Sequence, residues 1–172
     1  MDTVALADAL ALADDEPQLT RHIRALLVLA ESVGAAAPES VEHGLAQESA
    51  YLNGQLLPHF ERVERTLSRA VNRRLADPDV MRRVRQEHEQ VRRLIAELDR
   101  VRALRPHSAD ALGPALALRR LLFGLFAVLQ VLLGEERLYR RVAGDASSQE
   151  AAQAIASSLR QLARQPLWCL DW

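Results

Sequence analysis

Apolar residues in this chain recur at steps of three and four, and no stretch alternates them convincingly at steps of two. That spacing returns a side chain to the same face of a helix, whereas a strand needs the shorter period. Leu19, His22, Ile23, Leu26, Ala30 and Val33 predict a helix over about 17–33. Asp14 or Asp15 with Pro17 opens it and Gly34 stops it. Residues 35–40 read as a loop. A second helix is expected over about 40–75, with Leu45, Leu52, Leu56, His59, Val63, Leu67 and Ala70 on its inner stripe. Pro58 lies inside it and predicts a kink one turn from His59. Asp77-Pro78-Asp79 breaks the pattern and caps a third helix, about 79–104, carrying Met81, Val84, His88, Val91, Ile95 and Leu98. Arg105-Pro106-His107-Ser108 ends it. A fourth helix begins at about Ala109 or Pro114 and runs to Val142.

Four long amphipathic helices on short connections imply an all-α fold, an up-and-down antiparallel four-helix bundle. Gly144-Asp145 marks a turn before a short additional C-terminal helix, about 147–165, and the apolar tail 166–172 is expected to pack back on the body. The expectation is one domain over 1–172, with the bundle at about 17–143 and the C-terminal helix and tail at about 147–172. At 172 residues and 49% hydrophobic composition the chain can bury a sizeable core.

Charge narrows the partners. Every basic residue is Arg, yet the net charge is −1, without the basic excess of a nucleic-acid binder. Arg82, Arg83, Arg85, Arg92 and Arg93 cluster, but Glu87, Glu89 and Glu97 are interleaved, which reads as a solvated helix face. Cys169 is the single cysteine, so no intrachain disulfide forms, in keeping with a reducing compartment. Met1-Asp2-Thr3-Val4 lacks the order of a signal peptide, and the apolar run from Leu121 to Leu133 falls short of the ~20 residues that span a bilayer. A soluble cytoplasmic protein, bound to neither nucleic acid nor membrane, is the expectation.

Three histidines, His22, His59 and His88, fall on the apolar stripes of three different helices, and Glu135 falls on that of the fourth with Val128, Val131, Leu132, Leu138 and Tyr139. A buried carboxylate or imidazole needs a partner, because stripping it of water is costly. Each His taken alone reads as a hydrogen-bonded core residue. Taken together, the four side chains point to one shared metal ion, the way bundle cores commonly build such sites. His43 and His107 fall near helix ends and read as solvated. Glu64 and Glu136 flank the stripes.

His59-Phe60-Glu61-Arg62-Val63-Glu64, then Asp77-Pro78, then Glu87-His88, resemble the second and third helices of hemerythrin-like cation-binding (HHE) domains. Glu135-Glu136-Arg137-Leu138-Tyr139 resembles the end of their fourth helix, and His22 falls where their first-helix histidine stands. The likeness spans about Leu19 to Val142. It implies a non-haem diiron centre held by one His per helix and two bridging carboxylates, with a His and a Glu four residues apart on the second and fourth helices. Here the position four after His59 is Val63, and that four before Glu135 is Val131. The resemblance therefore implies His22, His59, His88 and Glu135 as surviving metal ligands, and a degenerate set.

Two irons in a dry core need more than one bridging carboxylate, so the expectation is mononuclear iron or an incomplete diiron site. His22, His59 and Glu135 would suit Fe(II) with open positions for O2, NO or another small molecule, and hence metal-dependent oxidoreductase chemistry. Closed coordination by three His and one Glu would suit zinc. Val63, Val131, Phe123, Gly124 and Phe126 also permit a cavity for haem, with His22, His59 or His88 as axial ligand. A metal-free interaction module, associating as a homodimer through the fourth helix and the Trp168–Trp172 end, is the alternative from another class.

Overall fold

The computed structural model describes residues 15–75, 78–103 and 112–144, and among these there is no strand. The helices are α1 (Glu16–Ser32), α2 (Pro38–Tyr51), α3 (Leu57–Leu75), α4 (Pro78–Ala103) and α5 (Leu112–Gly144). A π segment, Leu52–Leu56, joins α2 to α3 without a break, so the chain runs as four helices.

Local chemistry accounts for the boundaries. Pro17 and Glu16 sit in the first turn of α1, where a missing N–H and a negative charge are both tolerated. Gly34 takes φ +85°, a left-handed conformation that other residues rarely adopt, and the chain turns there as expected. The amides of Ala35 and Ala36 donate back to the Ser32 carbonyl, and Pro38 opens α2 two residues before the expected start. At Gly44 a Cβ would meet Leu29 Cδ1 at 2.9 Å, so the missing side chain lets α2 come close to α1.

The irregularity expected from Pro58 takes the form of the π segment immediately before it. The Leu57 amide reaches back five residues to the Leu52 carbonyl. One wide turn absorbs the misfit where a proline cannot join a regular helix. Asn53, in that segment, donates to the Ser49 carbonyl and to Asp99 Oδ2, each at 3.0 Å, which pins the wide turn to α4.

The core is aliphatic. Leu19, Ile23, Leu26 and Ala30 of α1 meet Leu45 and Leu52 of the α2–π segment, Val91, Ile95 and Leu98 of α4, and Leu118, Leu122, Leu125 and Leu129 of α5. Helix α5 packs against α1, α3 and α4, which makes it the central element. The run Leu121 to Leu133 is part of a longer helix, Gly113–Arg141, within which an 18-residue stretch reaches a mean hydropathy of 2.0. By length and composition alone that helix could cross a membrane, although its inward positions pack on the other helices. Its outward positions include Leu116, which is 54% exposed. The C-terminal helix and tail expected at 147–172 lie outside the described residues.

Leu122 is fully buried at the centre of this core. Leu122→Ala is expected to cost about 2–5 kcal/mol of unfolding free energy in a denaturant titration, whereas Leu116→Ala stays within about 0.5 kcal/mol.

Candidate functional site

All four residues singled out from the sequence lie among the described residues, on four different helical segments, but each finds its own partner. His22 on α1 sits with its Nδ1 3.0 and 3.2 Å from the two Glu48 carboxylate oxygens. Its ring stacks on Tyr51, with 3.5 Å between centroids and 10° between planes. Burial, then the charges of Asp15 and Glu48, push the Tyr51 hydroxyl up to about 12. Glu48 is itself 6% exposed, and burial raises its pKa against the opposing hydrogen bond from His22.

His59 on α3 is 1% exposed and lies between two carboxylates. Nδ1 stands 3.1 Å from Asp15 Oδ2, and Nε2 stands 2.9 Å from Glu136 Oε2. Burial pulls its pKa down, but the hydrogen bonds and charges of Glu136 and Asp15 outweigh that and raise it above 6.5. A carboxylate at each nitrogen thus favours the cationic ring, which can donate from both. Arg62 also donates to Asp15 Oδ2, at 2.6 Å.

His88 on α4 is its counterpart. Nδ1 stands 2.8 Å from Glu64 Oε1, and the ring stacks on Phe60 at 4.0 Å and 4°. Burial is the largest influence and lowers its pKa despite Glu64. A neutral ring that donates Nδ1–H to a carboxylate keeps its lone pair on Nε2. Metal-binding and proton-accepting histidines are commonly held this way, and the tautomer follows from the hydrogen-bond partner.

On α5, adjacent glutamates face different neighbours. Glu136 turns to His59, while Glu135 turns to Glu87 and Arg83 of α4. Arg83 Nε donates to Glu87 Oε1 at 2.6 Å and its Nη2 lies 3.6 Å from Glu135 Oε1. Burial, followed by the charge of Glu87 and a hydrogen bond with it, pushes Glu135 up to about 7. Burial and the same two carboxylates raise Tyr139 as well. With every carboxyl ionised, three buried oxygens, Glu87 Oε2, Glu135 Oε2 and Glu136 Oε1, accept no hydrogen bond; a proton on Glu135 would link it to Glu87, and Glu136 Oε1 has Arg140 Nε at 3.6 Å.

His59, His88 and Glu136 line one small cavity of about 20 Å³, together with Leu19, Ile23, Leu56, Phe60, Leu129, Leu132 and Leu133. That is room for roughly one water molecule. Neither His22 nor Glu135 lines it, nor do Val63, Val131, Phe123, Gly124 or Phe126, the residues read from the sequence as a haem pocket. A Cβ on Gly124 would meet nothing within 4 Å, so that glycine marks no close helix contact among the described residues. Because the imidazoles are held by separate carboxylates, no three His, Cys, Asp or Glu side chains among the described residues are grouped to hold one ion.

The expected solvated face of α4 also divides. Arg82 and Arg85 are exposed, but Glu87 is 5% exposed and Arg83 folds inward to pair with it. Glu64 is half-buried, His43 is exposed, and His107 lies outside the described residues. Comparison with models of known families, with curated proteins and with solved structures finds no match.

The fully charged state of Glu135 is the costly one. A carboxyl whose folded pKa is about 7, against 4.5 unfolded, contributes stability that is full below about 4.5 and lost as pH rises through about 7. Glu135→Gln removes that dependence. In metal-free buffer its unfolding free energy is expected to exceed that of the parent by about 1–3 kcal/mol at pH 8, with the difference shrinking towards pH 5.

Proposed function

We propose that this chain is a hemerythrin-like up-and-down bundle that binds a cation in its buried polar layer, iron(II) foremost. The observation that carries this reading is the set of three buried carboxylate oxygens left without a hydrogen bond, one of them on Glu136, which lines a small cavity with two imidazoles. Buried carboxylate oxygens without a hydrogen bond are expensive in an apolar core, and protons or a cation would relieve them. Two imidazoles and one carboxylate are the donor set that suits Fe(II), and zinc takes the same donors. His59, His88 and Glu136 are not grouped around one point as they stand, so to hold the ion His59 and Glu136 would have to part and turn to the cavity with His88, while Glu135 and Glu87 would add negative charge to the same core. This exchanges Glu135 for Glu136 at the cavity and leaves His22 with Glu48 as a separate pair.

A bound iron would supply redox chemistry and open positions for O2 or NO. The chain's own residues do the rest. Glu64 fixes the His88 ring and keeps Nε2 basic. His59 surrenders a proton when Glu136 is drawn to a cation, so binding releases protons. Leu129, Leu132 and Leu133 give the cavity an apolar wall. A haem, many times larger than about 20 Å³, would require the helices to part.

The second reading, a metal-free helical interaction module, draws support from the outward apolar positions of α5, Leu116 among them. Elemental analysis of protein expressed with iron, zinc and manganese separates the two. The metal reading predicts about one ion per chain, lost in His88→Ala and in Glu136→Gln at unchanged helical content. Metal-free protein from metal-replete cells, with self-association by light scattering, contradicts it and favours the second reading.

A further inference from the structure

We propose that the groove along the outer side of α4 binds a multiply charged phosphoryl anion, and that Glu64 couples this groove to the buried His88 ring. Between positions 82 and 93 the chain carries five Arg against two Glu, although its net charge is −1 overall. Arg83 is consumed inside by Glu87 and Glu135. Arg82, Arg85, Arg92 and Arg93, with Glu64 and Glu89, line a surface groove of about 470 Å³. That volume falls within the range of about 300–1,000 Å³ typical of small-ligand sites.

Positions 82, 85, 89 and 93 follow one another at steps of three and four, so they share one face over about 16 Å of helix. Neither Arg85 nor Arg93 makes an ion pair among the described residues. Two such guanidinium groups, about 12 Å apart along the helix, suit a ligand with more than one phosphoryl group, since each planar fork can grip two oxygens. A single carboxylate or chloride would meet only one of them.

The link to the interior runs through one residue. Glu64 lines the groove, and its Oε1 stands 2.8 Å from His88 Nδ1 and 3.2 Å from Arg92 Nη2. Arg92 also leans on Glu89 at 3.5 Å. An anion in the groove competes with Glu64 for the Arg92 guanidinium. Once Arg92 turns outward, Glu64 loses one of its cations and its charge bears more strongly on His88, which lines the buried cavity. Occupancy of the groove thus reaches the cavity through two hydrogen bonds, whether or not that cavity holds an ion.

The test uses the full chain after EDTA treatment, so its outcome is independent of metal binding. Inorganic tripolyphosphate is titrated calorimetrically at about 0.1 M salt, where long-range attraction is largely screened. Saturable binding is expected, weakened about tenfold or more in Arg85→Ala/Arg93→Ala and unchanged in Arg21→Ala/Arg24→Ala, whose side chains are exposed on α1. On saturation the His88 ring resonances shift in the parent and stay in place in Glu64→Gln. Vesicles of phosphatidylglycerol, compared with phosphatidylcholine, tell the source. Binding to the anionic vesicles alone assigns the phosphoryl group to a lipid headgroup, and binding to tripolyphosphate assigns it to a soluble ligand. No saturable binding to either, or equal weakening by both double variants, overturns the groove. A DNA duplex bound more tightly than tripolyphosphate, and insensitive to Arg85→Ala/Arg93→Ala, overturns it as well. Unmoved His88 resonances in the saturated parent overturn the coupling.

Discussion

Charged side chains drawn into an aliphatic core must neutralise one another, and the interior of this protein is arranged around that requirement. Six buried or half-buried carboxylates, Asp15, Glu48, Glu64, Glu87, Glu135 and Glu136, and three imidazoles pair with one another or with Arg83 between the helices. Breaking one partner of such a pair strands the other in a medium that solvates it poorly, at a cost of about 3–5 kcal/mol. Each pair therefore ties two helices: His22 to Glu48 joins α1 to α2, His59 to Glu136 joins α3 to α5, and His88 to Glu64 joins α4 to α3. The aliphatic layers hold the helices together, and the polar layer decides which faces meet.

The two deepest histidines face opposite demands. His59 has a carboxylate on each side, which favours its charged form, while His88 has one carboxylate and an aromatic ring against its face, and burial favours its neutral form. Between them lies a cavity the size of one water molecule, with an unsatisfied Glu136 oxygen in the same layer. A proton donor and a lone pair thus border the same small space. Buried polar groups that cost stability are commonly kept for chemistry, and perturbed titration is one sign of that.

Helix placement was legible because the three-four spacing depends only on which side chains avoid water. The expected limits of α1 and α4 each lie within one residue of those observed, and Gly34 ends the first helix through its left-handed φ. The wide turn ahead of Pro58 was legible only as a kink, since sequence does not say how a helix absorbs a proline. The partners of the histidines were harder to see, although the same spacing contains them. Leu118, Leu122, Leu125, Leu129, Leu132, Glu136 and Tyr139 follow one another by four and three, which places Glu136 inside; Leu45, Glu48 and Leu52 do the same for Glu48. Glu135, one position from the centre of that stripe, is buried as well because Arg83 and Glu87 lean over it. Pairing across helices depends on their relative rotation, and no single helix encodes that.

The protonation pattern of the two core rings tests this account most directly, and long-range nitrogen–proton correlation spectra of the metal-free protein read it at neutral pH. The account predicts a His59 ring protonated on both nitrogens and a neutral His88 ring protonated on Nδ1 alone. A neutral His59, or a His88 carrying its proton on Nε2, would contradict it, because the carboxylate clamps on which the buried layer depends would then not exist in solution.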